Sequence, residues 1–558
     1  MSARKLTLQR LRFYDMDPAL ISSGVLEVIP RFNSDSWRQK GQAVYWESED
    51  SGVTYLDDSI KIAAGSSVDS DTFFNSFFLA YWLRLTRLQS LSLQIKTQGA
   101  FLLQVFRHTA LGETELLISR EIAHDGETMV ELDQAMLSSG LRLSFRLKSL
   151  GPESRLLGGA WQTEDTPSPF SLGIVVATFG RNTFAQRLIE RILDDTGLAE
   201  EDLRIVLVDQ NKISELGHLN QDRCRVVTQN NLGNPGGLTR ALYEILYGEY
   251  RFSPTHIMFI DDDVDLETDS ILRSVRMMQF AKSPFIIGGI MLDLYRPNRA
   301  LCHGENFSKN DENVRSLRRN LPDTDIADLN GLNSFSVPSD YDYSAGWYCV
   351  FPAEVYTKIG FQMPFFIQGY EDAEFCLRAR KHNYLTYTIP GIGVWHLPFY
   401  SKREAGWKLL MSTYHQTVHH CLYGYEDCSN FFFQNGTYAF SELLLGKYRH
   451  AAAIIRGLEN FLQGWRYFTE RTYPAYLQEL EEYLAKYDAE QQAPGIIKKG
   501  QVVDLKKRLE AAVLRFKEEG KSIQEEFAAK LPSTFTMDSW RHYFAHGNLT
   551  SLSSQGDK

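Results

Sequence analysis

Residues 255–264, THIMFIDDDV, decide how this chain is read. Ile257, Met258, Phe259 and Ile260 form a continuous apolar run, the mark of a strand buried on both faces of a parallel sheet, and three carboxylates end it. In α/β sheets, ligands bind in the crevice beyond the carboxyl ends of the strands. Extended-chain alternation puts Asp261 and Asp263 on one side, where a hard divalent cation would relieve their repulsion by accepting their oxygens. The competing reading is a solvated acidic loop. An EF-hand does not fit, because Leu266 and Leu272 fall on the sixth and twelfth loop positions, which need Gly and a bidentate Glu.

Outward from this stretch, LGIVVATF (172–179), RIVLVDQ (204–210) and RVVTQ (225–229) repeat the strand type. Between them lie helical periods: TFAQRLIERILDD puts Phe184, Leu188, Ile192 and Leu193 on one face, and LTRALYEILY and DSILRSVRMMQF follow the same spacing. The alternation predicts an α/β domain with a mainly parallel, Rossmann-like sheet, assigned to residues 166–400. Before it, period-two runs such as LRLSFRLKSL (141–150), separated by Gly-, Ser- and Asp-rich turns without amphipathic helices between, predict an all-β sandwich or barrel over 1–165. GPESRLLGGAWQTEDTPSP (151–169), with Gly and Pro at both ends, reads as the linker. After residue 400, HAAAIIRGLENFLQGW, YLQELEEYLAKYDAE and LKKRLEAAVLRFKEEGKSIQEEFAAK predict a helical domain over 401–558, punctuated by QQAPGIIKKG and ending in a frayed HGNLTSLSSQGDK.

Composition narrows the function. The chain of 558 residues carries a formal charge of -11, which argues against nucleic acid as the main partner. Six scattered cysteines form no CxxC pair, as expected of reduced thiols in a cytoplasmic protein. MSARKLTLQRLRFYD turns polar before a signal-peptide core develops, and the apolar stretch Pro284 to Leu292 is too short to span a bilayer, so the expectation is a soluble or peripherally bound protein.

Four further segments carry chemistry. QNNLGNPGGLTRAL (229–242) is a Gly-rich turn before a helix, where N–H groups and the helix dipole meet an anion; Gly236 and Gly237 equally suit a turn. In FFIQGYEDAEFCLRARKH, Glu371 and Asp372 open a helix, either as partners of its dipole or with one of them as a general base. His396 in GVWHLPF reads as structural or as the nitrogen ligand beside two aspartates. Trp347 in DYDYSAGWYCVFP reads as core packing or as a platform for a sugar.

In order, ATFGRN, VDQN, NNLGNPGG, FIDDDV, GWYC, GYEDAEFCLRA and VWH resemble the inverting family 2 glycosyltransferases of GT-A fold, most closely the bacterial cell-wall galactofuranosyltransferases that extend galactan from UDP-galactofuranose. The resemblance implies a nucleotide pocket lined by Thr178, Phe179 and Arg181, with Asp209 near the uracil and Asn231 near the nucleotide, alongside the Gly-rich turn at Gly236. It implies that Asp261, Asp263 and His396 hold Mn2+ or Mg2+, that Glu305 and Trp347 border the acceptor, and that Asp372 is the base. Glu371 and Tyr348 stand where the branch has Asp and a second Trp, which bears on acceptor or linkage choice, and STYHQTVHH (412–420) lacks the branch's Arg. The implied donor is a UDP-sugar and the acceptor a glycan or lipid-linked glycan at the cytoplasmic face of the inner membrane. Another donor, a UDP-hexopyranose or dTDP-rhamnose, and a noncatalytic glycan-binding scaffold are the alternatives. Lys447, Arg449, Arg456, Trp465 and Arg466 are compatible with a solvated face, a homo-oligomer contact or an anionic membrane surface.

Overall fold

The computed structural model describes residues 5–16, 20, 33–211, 215–306, 323–364, 366, 369–398, 406–423, 429–487 and 499–549. Four parallel strands lie in the spatial order Cys224–Thr228, Leu203–Asp209, Leu172–Thr178, His256–Asp261. Chain order and spatial order therefore diverge beside Leu172–Thr178, where the chain runs first to one side and then returns to the other. Beyond His256–Asp261 the sheet becomes mixed: Tyr348–Pro352 and Ile286–Asp293 add antiparallel pairings, and Thr386–His396 runs parallel to Ile286–Asp293.

The unbroken apolar runs have a direct cause in the layering. Ile174 and Val176 point into a core shared with the N-terminal strands, while Val175 and Ala177 point into a second core shared with the C-terminal helices. Neither face meets water, so no polar alternation survives. Helix Asn182–Asp194 buries Ala185, Leu188, Ile189 and Ile192, with Phe184 and Leu193 partly buried against the same core.

N-terminally, two antiparallel sheets pack together as a sandwich. In Arg142–Ser149 the expected alternation buries Leu143, Phe145 and Leu147, but Arg142 is buried too. Its guanidinium donates to both Asp71 oxygens at 2.6 and 2.8 Å and to Asn333 Oδ1 at 2.6 Å, so the α/β region covers a face that sequence alternation assigned to solvent. Helices Ser34–Gln42 and Leu79–Leu85 also interrupt a region read as lacking them.

The predicted linker is a central strand instead. Glu153–Thr163 pairs with Leu6–Arg10, Ile60–Ala63 and Leu91–Gln98. Its register shifts between Leu156 and Gly158, where Gly158 and Gly159 have φ of 137° and 155°; a Cβ on Gly159 would fall 2.2 Å from the Gln94 carbonyl oxygen. The paired glycines mark a bulge and a close approach, two features that read locally as loop.

Helix Gly233–Leu246 lies on the other sheet face, and C-terminally helices Gly406–Tyr423, Ser429–Leu444, Tyr448–Leu462 and Lys499–Lys530 extend the same core, with Tyr473–Ala485 packed on their far side. Trp465 is 1% exposed in that core, and Arg456 pairs with Glu479 at 2.7 Å, so neither is free for a membrane surface. Most of QQAPGIIKKG and residues 550–558 lie outside the described residues, whereas Lys499 and Gly500 already belong to the long helix. Among the described residues no helix is long and apolar enough to cross a membrane.

Gly159→Ala forces a side chain onto the Gln94 backbone at a left-handed position. It should destabilise the protein by about 2 kcal/mol or more, read from the midpoint of chemical unfolding; an unchanged midpoint would contradict the bulge's role.

Candidate active site

Three strands end at one level, because Thr178 pairs with Asp209 and Ala177 with Asp261. Their carboxyl ends open where the topology switches sides, the position at which open α/β sheets bind ligands. Gly180, at φ 73°, turns the chain away from the sheet. Phe179 is left 56% exposed, and Arg181 stands at the start of helix Asn182–Asp194.

Strand register assembles the acidic cluster. Val264–Leu266 pairs antiparallel with the end of Thr386–His396, setting Val264 opposite His396. His396 Nε2 then lies 3.2 Å from Asp263 Oδ1 and 3.5 Å from Asp261 Oδ2. Its Nδ1, 2.6 Å from the Leu397 carbonyl oxygen, donates there, so Nε2 is the ring nitrogen turned to the carboxylates and the one that a cation would take as ligand. One ligand atom from each of Asp261, Asp263 and His396 lies within 4.8 Å of the others. Two hard oxygen donors and one imidazole on one side suit a divalent cation that keeps positions open for substrate oxygens. Arg181 Nη1 bridges Asp262 Oδ1 at 2.7 Å and Asp263 Oδ2 at 2.9 Å, which offsets part of the local charge. Burial pushes Asp262 up to about 6, against the pull of that guanidinium.

The second acidic pair begins helix Glu371–Arg380, after two residues in the left-handed region, Gly369 at φ 82° and Tyr370 at φ 73°. A non-glycine residue held there is strained, and the Tyr370 ring packs 5.4 Å from His419. Asp372 Oδ2 accepts the Gly346 N–H at 3.2 Å and Oδ1 the Ala373 N–H at 2.7 Å. The next residue, Trp347, accepts the Asp261 N–H on its carbonyl at 3.3 Å, so one short loop ties Asp372 to the cation cluster. Glu371 Oε1 accepts from Asn234 Nδ2 at 3.3 Å, and Oε2 is sealed without a hydrogen-bond partner. Burial, then the neighbouring Asp372 charge, push Glu371 up to about 8.

Trp347 is buried, its Nε1 donating to the Gly289 carbonyl at 2.8 Å and its ring 6.4 Å from His396. Tyr348 is turned away, fully buried, its hydroxyl 2.7 Å from Ser274 Oγ and donating to the Ser270 carbonyl at 2.8 Å. Glu305 is buried and accepts the Tyr343 hydroxyl. Its backbone bridges Tyr343, in the loop that leads to Gly346.

On the other side of the crevice, Asp209 is fully buried at its strand end. Its Oδ1 accepts from the Asn211 N–H at 3.0 Å and Nδ2 at 2.6 Å, while Oδ2 has no hydrogen-bond partner. A buried carboxylate oxygen left unpaired fits a missing N–H donor such as a nucleobase edge. Gln210, which sequence reasoning passed over inside VDQN, organises the adjacent loop. Its Oε1 accepts the Leu232 N–H at 2.9 Å and its Nε2 donates to the Gly233 carbonyl at 3.1 Å. Asn231 Oδ1 accepts the Gly233 N–H at 3.0 Å. The helix starts at Gly233, so Gly236 and Gly237 are helical rather than part of the turn; a Cβ on either would fall 2.5 Å from Leu232 or Ala177.

Residues 45–164 match the family model described as Galactofuranosyltransferase 2 N-terminal, and residues 169–412 the one described as Glycosyltransferase like family 2. Over 365 residues the chain is 29% identical to Galactofuranosyltransferase GlfT2 of Mycobacterium tuberculosis, a match covering 62% of this chain and 57% of the relative. Over 428 residues it is 27% identical to Galactofuranosyltransferase GlfT2 of Mycolicibacterium smegmatis, covering 73% and 65%. The chain thus spans less than two thirds of the length of these curated relatives. A solved mannosyltransferase from Pyrobaculum calidifontis in complex with GDP-Man and Mn2+ aligns at a TM-score of 0.32 with 12% identity, over 63% of this chain and 88% of that one, a distant likeness.

Glu371 provides a pH signature. Its pKa in the folded protein lies above the ordinary 4.5, so the stability it contributes is full below about pH 4.5 and is lost as the pH rises toward about 8. Glu371→Gln should flatten the decline of the melting temperature between pH 5 and 8; an unchanged slope would contradict a neutral Glu371.

Proposed function

We propose, from the match of residues 169–412 to the model described as Glycosyltransferase like family 2, that the chain is an inverting, divalent-cation-dependent transferase of a nucleotide-activated sugar. One observation supports this reading above the others. The triad Asp261, Asp263 and His396 shares a crevice with a separate carboxylate, Asp372, to which the Gly346–Trp347 loop ties it.

A divalent cation held by Asp261, Asp263 and His396 would supply Lewis-acid stabilisation of the charge developing on the leaving diphosphate. The remaining work falls to the chain. Asp209 is assigned the nucleobase through its unpaired Oδ2, and Arg181, pivoting on Asp262, the phosphates. Asp372, fixed by two backbone N–H groups, takes the proton of the acceptor hydroxyl as that oxygen bonds to the anomeric carbon. The nucleoside diphosphate departs from the opposite face, which inverts the configuration. A protonated Glu371 adds no negative charge beside Asp372, so environment divides the roles of two adjacent acids. Trp347 and Glu305 are assigned to the acceptor side through the loop that reaches Asp372.

Both curated relatives are galactofuranosyltransferases by name, which supports galactofuranose as the sugar; the acceptor proposed with it, from the motif resemblance, is a growing cell-surface glycan or glycolipid met at the membrane's cytoplasmic face. The decisive assay is a panel of UDP-sugars with short glycolipid acceptors, with Mn2+ and with EDTA. Turnover of UDP-galactofuranose is expected with the metal alone; preference for another donor, or equal rates in EDTA, would overturn the reading. Asp372→Asn should lower turnover by roughly 100- to 10,000-fold while leaving UDP affinity in place; wild-type turnover would remove Asp372 as the base.

A further inference from the structure

The acidic row does not stop at the cation triad. Asp263, Asp265, Glu267 and Asp269 occupy alternate positions, and each meets an arginine. Arg181 reaches Asp263 at 2.9 Å, Arg191 reaches Asp265 at 3.6 Å, Arg12 reaches Glu267 at 2.8 Å, and Arg10 and Arg273 reach Asp269 at 2.8 and 2.5 Å. The side chains of Asp265, Glu267 and Asp269 are 2%, 0% and 0% exposed, so these charges are compensated by protein groups rather than water.

Two of these arginines come from the far end of the chain. Arg10 ends the first strand of the N-terminal sandwich, and Arg12 follows it. The Arg12 backbone is gripped by that domain: its N–H donates to Asn75 Oδ1 at 2.8 Å, and its carbonyl accepts from Asn75 Nδ2 at 2.9 Å and from Trp46 Nε1 at 2.7 Å. Tyr45, from the same domain, donates to Glu267 Oε2 at 2.9 Å. The Phe74 and Tyr45 rings pack 5.3 and 6.4 Å from Trp395, the residue before His396 and the partner of Asp265 in the strand pair.

We propose that Arg12, supported by Arg10, is a positioning residue for the cation site, through which the N-terminal domain holds Val264–Leu266 in the register that sets Asp263 against His396. That pairing is three residues long and carries Asp265, with Asp263 and Glu267 flanking it, so the mutual repulsion of these acids works against it. Without Arg12, Glu267 is a buried charge between Asp265 and Asp269, and the strand relaxes away from His396. The inference rests on the reading of Asp261, Asp263 and His396 as a divalent-cation site, and it assigns the sandwich a task that its own sequence does not disclose.

The test uses the full chain without nucleotide, with Mn2+ affinity measured by electron paramagnetic resonance and the melting temperature measured alongside. Arg12→Gln should weaken Mn2+ binding roughly 10- to 100-fold, the range for groups that orient metal ligands. Arg12→Gln with Glu267→Gln, which removes both charges, should restore most of the affinity. Unchanged Mn2+ affinity in Arg12→Gln, whatever happens to its melting temperature, would overturn the proposal, as would a double variant as weak as the single one. If Arg12→Gln does not fold, Arg12→Lys takes its place: because it keeps the charge beside Glu267 it should bind Mn2+ within a few-fold of the wild type, and an affinity as low as that of Asp263→Ala in a folded Arg12→Lys would overturn the proposal equally. Asp263→Ala marks the affinity left after a ligand is lost. A wild-type protein that binds Mn2+ no better than Asp263→Ala would instead sink the cation reading itself.

Discussion

Like charges crowded at the end of a buried strand have to be compensated, and much of this molecule is arranged around that requirement. Two carboxylates about 4 Å apart repel by about 4 kcal/mol at the effective dielectric of a protein surface, and burial adds the loss of hydration. Between Asp261 and Asp269 six acids occupy nine positions. Helix Asn182–Asp194 contributes Arg191 and carries Arg181 at its start, the N-terminal segment contributes Arg10 and Arg12, and helix Asp269–Gln279 contributes Arg273. In this row, it is at Asp261 and Asp263 that an imidazole nitrogen, His396 Nε2, faces the acids.

The same strand must also be supported from behind. A parallel sheet is stable only when both faces are covered, and here the coverings have different origins. The sandwich shares one core with alternate residues of the central strands, and helix Gly233–Leu246, backed by the C-terminal helices, shares the other. The sandwich is therefore part of the environment of the acidic row. Through Arg142, Tyr45 and Phe74 it also meets Asn333, Glu267 and Trp395.

The two neighbouring acids Glu371 and Asp372 show how local geometry separates like groups. Asp372 points back to the N–H groups of Gly346 and Ala373, which favour a carboxylate, whereas Glu371 is sealed against Asn234 with one oxygen unpaired. The left-handed pair Gly369 and Tyr370 sets the angle at which the helix presents them.

By itself, the sequence determined what depends on short-range periodicity. The apolar runs 172–179, 204–210 and 255–264 specify buried strands, the 3.6-residue periods between them specify helices, and the ordered motifs carry the resemblance to family 2 glycosyltransferases. Tertiary structure decided whatever depends on partners distant in the chain. The glycines of 151–169 look like a linker until strand pairing makes them a bulge, and Gly236 looks like a turn until Gln210 holds Leu232 and Gly233 and the helix begins early. Trp347 and Tyr348 are adjacent aromatics in sequence, yet pleating sends one ring toward His396 and the other to Ser270 and Ser274. Asp263 meets His396 because two strands far apart in the chain share a register, and Glu267 meets Arg12 because a separate domain docks beside them. The acids were visible from the start; what compensates each of them is a matter of long-range geometry, which no local pattern encodes.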